Sequence, residues 1–207
     1  EARQSAKACD EQLARNRRRN AVRKAITEQF ELGLMTKGQQ RKAEDRVILC
    51  RQQHGACPYC ADVISEVAAA RGTGVEIDHI VPFSRSGDDG LNNRVLCHDR
   101  CNRGKGNRTP KEWLSVEAFA ALERRLAHFE RPTRDDTAYF SFRDFARKWE
   151  NLHREIRPED EWRNSQLSDT AYAATQVGAD LPLEDVTVSL WERGRGQVRQ
   201  HAAARRL

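Results

Sequence analysis

Three side chains between residues 76 and 107 have the chemistry needed to hydrolyse a phosphodiester. The segment EIDHIVPFSRSGDDGLNNRVLCHDRCNRGKGN places Asp78 next to His79 and, further along, contains Asn102. This reaction needs a divalent cation on the phosphate and a base that deprotonates water. Asp78 and Asn102 supply hard oxygen ligands that suit Mg²⁺ or Mn²⁺, and His79 is a base that can be neutral near pH 7. The three residue types predict a metal-dependent nuclease site.

Short strand patterns surround these residues. Apolar and polar residues alternate over 75–79, which predicts a strand that ends at the Asp-His pair. An Asn-Asn turn follows, then a second strand through residues 95–96, and Asn102 opens a basic, Gly-containing segment. A hairpin that leads into a helix would bring the three side chains together. We expect Asn93 to hold the hairpin by side-chain bonds to the backbone rather than to bind metal. Taken singly, the Asp-His pair is better explained as a turn and Asn102 as a helix cap.

The same segment resembles the ββα-metal site of the HNH nucleases. DHIVPFSRSGDDGLNNRVL and CNRGKGNRTPKEW are similar in particular to the HNH domain of the RNA-guided DNA endonucleases of type II CRISPR systems, of the zinc-bearing type II-C kind. Standalone HNH restriction and homing enzymes share the Asp-His pair and the distal Asn. They do not usually combine DHIVPFS, DD-x-x-NN-x-VL and NRGKGNRTP. The resemblance is strong over residues 53–114 and weaker in the flanks.

The resemblance implies a one-metal mechanism on a specific substrate. Asp78 and Asn102 would coordinate Mg²⁺ or Mn²⁺, and His79, oriented by a backbone carbonyl, would deprotonate the attacking water to leave 5′-phosphate and 3′-hydroxyl ends. The substrate would be the target DNA strand paired with a guide RNA, so that base pairing selects the sequence. The implied partners are the guide RNA and a RuvC-like nuclease domain of the same parent protein. The implied setting is antiviral defence in a prokaryotic cytoplasm, with this fragment as a monomer.

Basic residues close to Asn102 are candidates for nucleic-acid binding. Arg103, Lys105 and Arg108 follow it within one short segment, where they would contact DNA phosphate. The basic run over residues 15–23 is a second candidate and falls in the linker that precedes the HNH domain in the resembled proteins. Solvated surface charge explains either group equally well.

The six cysteines fall into distinct types. Cys57-Pro-Tyr-Cys60 is a C-x-x-C knuckle, and a second ligand pair lies within residues 97–101. Two knuckles from distant positions indicate a structural zinc site. A disulfide fits less well, because there is no sign of export and an HNH nuclease acts in the reducing cytosol. Cys9 and Cys50 lie in helical segments and are expected to be ordinary thiols.

The identity of the fourth zinc ligand is a choice between two neighbours. Cys97 would give an x3 spacing to Cys101, whereas His98 gives the x2 spacing of the first knuckle. Strand alternation puts Cys97 and His98 on opposite faces. In the resembled family, the interval from Asn93 to Asn102 places His98 where zinc-bearing members have a cysteine. We therefore predict a scaffolding zinc on Cys57, Cys60, His98 and Cys101, with an all-cysteine site as the alternative.

The rest of the chain predicts helices, so the expected fold class is α+β, mainly helical, with a ββα-metal core. Helices are predicted over residues 10–34 and 39–53, from a capping box at Thr109, and over 142–156 before Pro158. The apolar stripes are Val22, Ile26, Phe30 and Leu34; Trp113, Leu114, Phe119, Leu122 and Leu126; and Phe142, Phe145, Trp149, Leu152 and Ile156. Beyond residue 164 the sequence LSDTAYAATQVGADL predicts a short helix and VTVSL a strand.

Composition limits the number of domains and the kind of partner. The 207 residues are 32% charged and 38% hydrophobic, which allows one or two small domains. The formal net charge of +5 suits a polyanionic partner, and a solvated surface also explains so modest an excess. No apolar run approaches the roughly 18 residues of a membrane span, and no secretory signal is visible. We expect a helical linker over 1–52, the HNH core with its zinc knuckle over 53–130, a further helical part over 131–163, and a linker towards a third RuvC-like motif over 164–207.

Two other functions share some of these features. A standalone HNH endonuclease of restriction or homing type would leave the helical flanks unexplained. A zinc-ribbon module that binds nucleic acid without catalysis would not need Asp78, His79 and Asn102, all of which are intact.

Overall fold

The computed structural model describes residues 6–133 and 139–156, of which 6–9 by backbone alone, and the backbone of residues 187–189 and 199–201. The chain divides into two units. The first comprises residues 1–83 and 88–155, and the second comprises residues 84–87 and 156–207. All the candidate site residues belong to the first unit.

Short helices predominate. In chain order the elements are α1 Ala6–Gln29, α2 Lys37–Gln52, α3 Glu66–Arg71, β1 Val75–His79, α4 Phe83–Ser86, β2 Arg94–His98, α5 Asp99–Lys105, α6 Pro110–Trp113, α7 Val116–Arg125, α8 Ala127–Glu130, α9 Phe142–His153, β3 Thr187–Ser189 and β4 Arg199–His201. Two small two-stranded sheets, β1–β2 and β3–β4, within a mainly helical fold confirm the expected α+β class.

The predicted hairpin is present and carries the Asp-His pair at its end. β1 and β2 are antiparallel, with Asp78 opposite Val95 and His79 opposite Arg94. The fully buried Asn93 holds the connection as expected, because its Oδ1 accepts from the Val81 amide at 3.0 Å and its Nδ2 donates to the carbonyl oxygens of Val81 and Asp88, each at 2.9 Å. α5 begins directly after β2, which completes the ββα arrangement.

A glutamine side chain connects β2 to the helices. Nε2 of Gln53 donates to the Leu96 carbonyl at 2.8 Å, and the Leu96 amide donates to Gln53 Oε1 at 2.6 Å. The Gln53 side chain thus makes with the Leu96 backbone the two hydrogen bonds that a neighbouring strand would otherwise make. Below the hairpin, α2 supplies the buried Val47, Leu49 and Cys50 to the core. Burial also raises the pKa of the Cys50 thiol to about 11, as expected for an inert thiol in a helix.

Several helices end earlier than the sequence predicts. α1 stops at Gln29, Glu31 adopts a left-handed backbone with φ 53°, and Leu34 is therefore 102% exposed instead of extending the apolar stripe. The helix that starts at Thr109 has the predicted capping box but ends at Trp113, and Ser115 caps a new helix, α7.

The last predicted helix is also shorter than expected. α9 ends at His153 because Arg154 is extended, so Ile156 lies beyond the helix. Phe145 and Leu152 are buried, whereas Phe142 is 57% exposed. The predicted strand VTVSL is confirmed over Thr187–Ser189, which pairs with Arg199–His201. The predicted helix over residues 167–181 and the side chain of Cys9 lie outside the described residues. None of the helices in the described segments is long and apolar enough to cross a membrane.

Candidate active site and Cys/His cluster

His79 occupies the last position of β1 and is held by a carboxylate. Its Nε2 lies 3.0 Å from Oδ1 of Asp89, and Arg94 on the facing strand forms an ion pair with the same carboxylate. Burial alone would raise the pKa of Asp89, but hydrogen bonds from Arg94 and His79 lower it. Asp89 is therefore an anion, and at 3.0 Å it favours the imidazole proton on Nε2 over the longer contact of 3.4 Å that Arg94 Nε makes with the same nitrogen. Nδ1 is then the basic nitrogen. From the sequence we expect a backbone carbonyl to orient the imidazole, and at Nε2 the structure places the Asp89 carboxylate.

Asp78 is buried and accepts hydrogen bonds on both carboxylate oxygens. Only 6% of the residue is exposed. Tyr59 donates its hydroxyl hydrogen to Oδ2 at 2.5 Å, and Lys105 Nζ donates to Oδ1 at 3.0 Å. Burial raises the pKa of Asp78, and the positive charge of Lys105 opposes that rise.

Lys105 does not lie where a phosphate contact was expected. It is 1% exposed and donates to the His79 carbonyl oxygen at 2.8 Å as well as to Asp78. A solvated lysine can reach a DNA phosphate, but an ammonium group enclosed by these two acceptors cannot. Arg103 and Arg108 remain exposed, although Arg103 pairs with Asp99 at 3.3 Å and Arg108 Nε donates to the Lys105 carbonyl at 3.1 Å.

Asn102 is joined to the strand that carries Asp78. Its Nδ2 donates to Oε2 of Glu76 at 2.6 Å. Glu76 and Asp78 are two residues apart on β1 and therefore project to the same face of the hairpin. Together with the bond from Lys105 to Asp78, this contact fastens α5 to β1 at two points.

The oxygen atoms at this face fit a hard divalent cation. The bond from Asn102 to Glu76 uses the amide N–H, which leaves the amide oxygen as an acceptor. Each carboxylate oxygen of Asp78 has two acceptor positions, so one bond to each leaves a second position for a cation. Asp78 and Asn102 would hold such an ion, and Glu76 is a third oxygen donor on the same face.

A second group of ligands lies at the knuckles. The ligand atoms of Cys57, Cys60, His98 and Cys101 all fall within 4.8 Å of one another, and Cys60 Sγ lies 3.3 Å from His98 Nδ1. The set could hold a metal ion. In a tetrahedral site, a sulfur about 2.3 Å and a nitrogen about 2.1 Å from Zn²⁺ would be about 3.6 Å apart, which is close to this separation. Cys97 is buried in β2 and lies outside the group. The described cysteines are free thiols, and burial raises the pKa of Cys57 and raises that of Cys101 to about 12.

Three residues around Asp78 and His79 were not found from the sequence: Tyr59, Glu76 and Asp89. Glu76 was recoverable, because strand alternation puts it on the face of Asp78. Asp89 was visible only as part of the DD pair, and Tyr59 only as a residue within the first knuckle. Neither position carries a local signal that it approaches the Asp-His pair.

The sequence of the core matches a known family. Residues 57–111 match the HNH endonuclease family, a span that includes both knuckles, the hairpin and α5. This part of the chain is an HNH endonuclease domain. Within this domain Asp78 and His79 lie on β1 and Asn102 lies on α5.

Similar proteins place this HNH domain in a larger context. The chain is 39% identical over 72 residues to CRISPR-associated endonuclease Cas9 of Staphylococcus aureus, covering 34% of this chain and 7% of that protein. It is 31% identical over 134 residues to CRISPR-associated endonuclease Cas9 1 of Streptococcus thermophilus, covering 64% of this chain and 12% of that protein. The chain therefore spans only a small part of these relatives.

Solved structures agree on the fold. A crystal structure of Streptococcus thermophilus Cas9 in complex with the GGAA PAM superposes with a TM-score of 0.55 at 22% identity, covering 86% of this chain and 18% of that one. The type II-C Cas9 enzyme from Actinomyces naeslundii gives a TM-score of 0.53 at 22% identity, covering 74% of this chain and 16% of that one. The HNH domain and its helical surroundings thus have the fold of the corresponding Cas9 region.

Proposed function

We propose that this chain is the HNH nuclease region of an RNA-guided DNA endonuclease and that it cleaves the DNA strand paired with the guide RNA. The observation that carries the proposal is the double attachment of α5 to β1, through Asn102 to Glu76 and Lys105 to Asp78. It brings the distal Asn to the Asp-His strand within a fold shared with Cas9. The relatives named above are CRISPR-associated endonucleases, which supports the substrate class.

The residues around His79 supply the proton chemistry. Nδ1 of His79 would accept a proton from the attacking water, while Nε2–H stays bonded to Asp89. The Asp89 carboxylate would balance the charge of the imidazolium that forms. Lys105 keeps the His79 backbone in place through its carbonyl oxygen. A Mg²⁺ or Mn²⁺ ion held by Asp78 and Asn102 would supply positive charge at the phosphate and at the leaving 3′ oxygen.

The Cys/His cluster is proposed to hold a structural Zn²⁺ ion. It joins the loop of residues 57–60 to the junction of β2 and α5, where His98 ends the strand and Cys101 lies in the helix. An ion there would fix the hairpin relative to the knuckle. It would have no role in bond cleavage, because all four ligand positions are filled by protein.

The remaining assignments follow from the same proposal. Arg103 and Arg108 would contact DNA phosphate, and the guide RNA and a RuvC-like domain would be partners within one protein in a prokaryotic cytoplasm. The segments 1–52, 53–130, 131–163 and 164–207 would be the leading linker, the HNH core, its helical extension and the following linker.

The test is cleavage of a labelled target strand by the complete protein with its guide RNA. His79→Ala should slow cleavage of that strand by about 10²–10⁴-fold, the usual loss for a general base, and leave DNA binding unchanged. The label on the other strand is the internal control, because its cleavage should not change. Cleavage of DNA without a guide would indicate a standalone HNH enzyme. Binding with no His79-dependent cleavage would indicate a nucleic-acid-binding module.

A further inference from the structure

Tyr59 lies between the two cysteines of the first knuckle but its side chain enters the active site. Cys57 and Cys60 contribute thiols to the Cys/His cluster, while Tyr59 is 8% exposed. Its hydroxyl group donates to Oδ2 of Asp78 at 2.5 Å. One residue therefore connects the cluster directly to the carboxylate that the proposed mechanism uses.

The hydrogen bond has a fixed direction. A carboxylate oxygen can only accept a hydrogen bond, so the Tyr59 hydroxyl group is the donor to Asp78. Lys105 holds the other oxygen of Asp78 at 3.0 Å. With one donor on each oxygen, the plane of the carboxylate cannot rotate without the loss of a buried hydrogen bond.

Tyr59 is itself held through its backbone and through its ring. Arg125 of α7 donates to the Tyr59 carbonyl at 3.2 Å and to the Pro58 carbonyl at 2.6 Å. The Tyr59 ring meets Trp113 edge to face, with centroids 5.3 Å apart. Trp113 packs so tightly on α5 that a Cβ atom added at Gly104 would lie 3.2 Å from its ring. Through Trp113, the Tyr59 ring thus packs against α5, the helix that carries Asn102.

We propose that Tyr59 is a positioning residue of the nuclease reaction, which orients Asp78 for the catalytic cation and transmits the geometry of the Cys/His cluster to it. The inference rests on the proposed role of Asp78 as a cation ligand. A change in the geometry of the Cys/His cluster would then alter the rate of cleavage through Tyr59 and Asp78. Tyr59 would not touch the substrate.

The test is Tyr59→Phe in the complete protein with its guide RNA, with Mg²⁺ titrated against the rate of target-strand cleavage. The variant keeps the ring and its contact with Trp113 and removes only the hydroxyl group. Loss of a group that orients a metal ligand typically costs 10–100-fold in metal affinity or activity. We expect the Mg²⁺ concentration for half-maximal rate to rise by about 10-fold or more, with zinc content unchanged.

A matched control is Tyr139→Phe. The Tyr139 hydroxyl also forms part-buried hydrogen bonds, accepting from Arg23 Nε at 2.9 Å. Its loss should lower the melting temperature without moving the Mg²⁺ curve. A rescue uses 4-aminophenylalanine at position 59, which retains a donor and should restore the wild-type Mg²⁺ requirement. If Tyr59→Phe does not fold, comparing 4-aminophenylalanine with 4-methylphenylalanine at this position separates the donor from the shape.

The outcomes distinguish the two proposals. If His79→Ala cleaves the target strand at the wild-type rate, the proposed function is wrong. If His79→Ala is inactive but Tyr59→Phe keeps the wild-type rate and Mg²⁺ curve, only the Tyr59 proposal is wrong. Equal shifts in Tyr59→Phe and Tyr139→Phe would also overturn it, because they would reflect stability alone.

Discussion

Lys105 Nζ lies 3.0 Å from Asp78 Oδ1, and both side chains are buried, Lys105 at 1% exposed and Asp78 at 6%. The same ammonium group donates to the His79 carbonyl at 2.8 Å. One cation on α5 thus satisfies two acceptors at the end of β1. A lysine that the sequence presents as one of a basic group is, in the folded protein, part of the interior of the site.

Removing this cation should destabilise the domain. Lys105→Met leaves a buried carboxylate without its counter-charge, and breaking a buried pair costs about 3–5 kcal/mol. We expect a clear fall in the melting temperature and loss of cleavage. Arg103→Met, on the same helix but exposed, is the control and should change the melting temperature little. Thermal unfolding followed by circular dichroism compares the two. Equal melting temperatures for both variants would contradict the burial of Lys105.

The carboxylate of Asp89 should be required for full activity. Asp89→Asn replaces the anion that accepts from His79 Nε2 with a neutral amide, which removes the charge that favours this tautomer. We expect cleavage to slow by about 10- to 100-fold, less than the roughly 10²–10⁴-fold effect of losing the base itself. Single-turnover rates of target-strand cleavage measure this. Asp88→Asn is the control, because an asparagine oxygen can still accept from the Gly90 amide. A wild-type rate for Asp89→Asn would remove Asp89 from this role.

Zinc should be present at about one ion per chain, and its loss should unfold the knuckle. A structural zinc site contributes folding free energy directly. Cys57→Ser, His98→Ala and Cys101→Ser should each lose zinc and lower the melting temperature strongly. Cys97→Ala should keep zinc, since Cys97 lies outside the cluster. Elemental analysis of metal-replete protein gives the result. If Cys97→Ala lost zinc while His98→Ala kept it, the fourth zinc ligand would be Cys97 and not His98.

Cleavage should depend on a second, weakly bound divalent ion. Excess EDTA should abolish cleavage, and added Mg²⁺ or Mn²⁺ should restore it. Asn102→Ala removes an oxygen ligand and should raise the Mg²⁺ requirement or abolish turnover. Asn107→Ala, in the same segment, serves as the comparison and should retain the wild-type Mg²⁺ curve. Undiminished cleavage in excess EDTA would exclude the metal mechanism.

Lys148 should make stability depend on pH. It is fully buried, its ammonium group lies 5.2 Å from the Phe140 ring centre, and burial lowers its pKa well below the ordinary value. The pKa of a lysine in the unfolded chain is about 10.4. At pH values between the pKa of Lys148 in the folded protein and about 10.4, the unfolded state therefore binds more protons than the folded state. Stability from this group therefore rises with pH across that window and is lost as pH falls.

The matched variant removes both the lysine and its partner. Lys148 bonds to Oε1 of Gln52, whose Nε2 has no partner within the described part of the chain. Lys148→Met combined with Gln52→Leu should raise the free energy of unfolding at pH 7, and the gain should shrink as pH approaches 10. Urea unfolding at several pH values measures it. Lys24→Met, at an exposed position, should show no such pH dependence. A gain in the free energy of unfolding that does not change with pH would contradict the lowered pKa of Lys148.

The local pattern of the sequence determined the elements at the site. Alternation over residues 75–79 and the turn at Asn93 predicted the hairpin, because strand faces and turns depend on near neighbours. The two x2 spacings predicted a cluster that the fold then assembled from Cys57, Cys60, His98 and Cys101. Helix ends were less predictable. The left-handed backbone of Glu31 ends the first helix before the apolar stripe reaches Leu34.

Only the tertiary structure decided which side chains support the proposed catalytic residues. Tyr59, Asp89 and Lys105 contact Asp78 or His79 across 10 to 27 positions of sequence. Their roles depend on how the knuckle, the hairpin loop and α5 pack against β1. Sequence shows that a lysine is charged, but its enclosure by two acceptors depends on packing by segments far along the chain. Burial then decides its role, because the same ammonium group is a phosphate contact in water and a counter-charge in the interior.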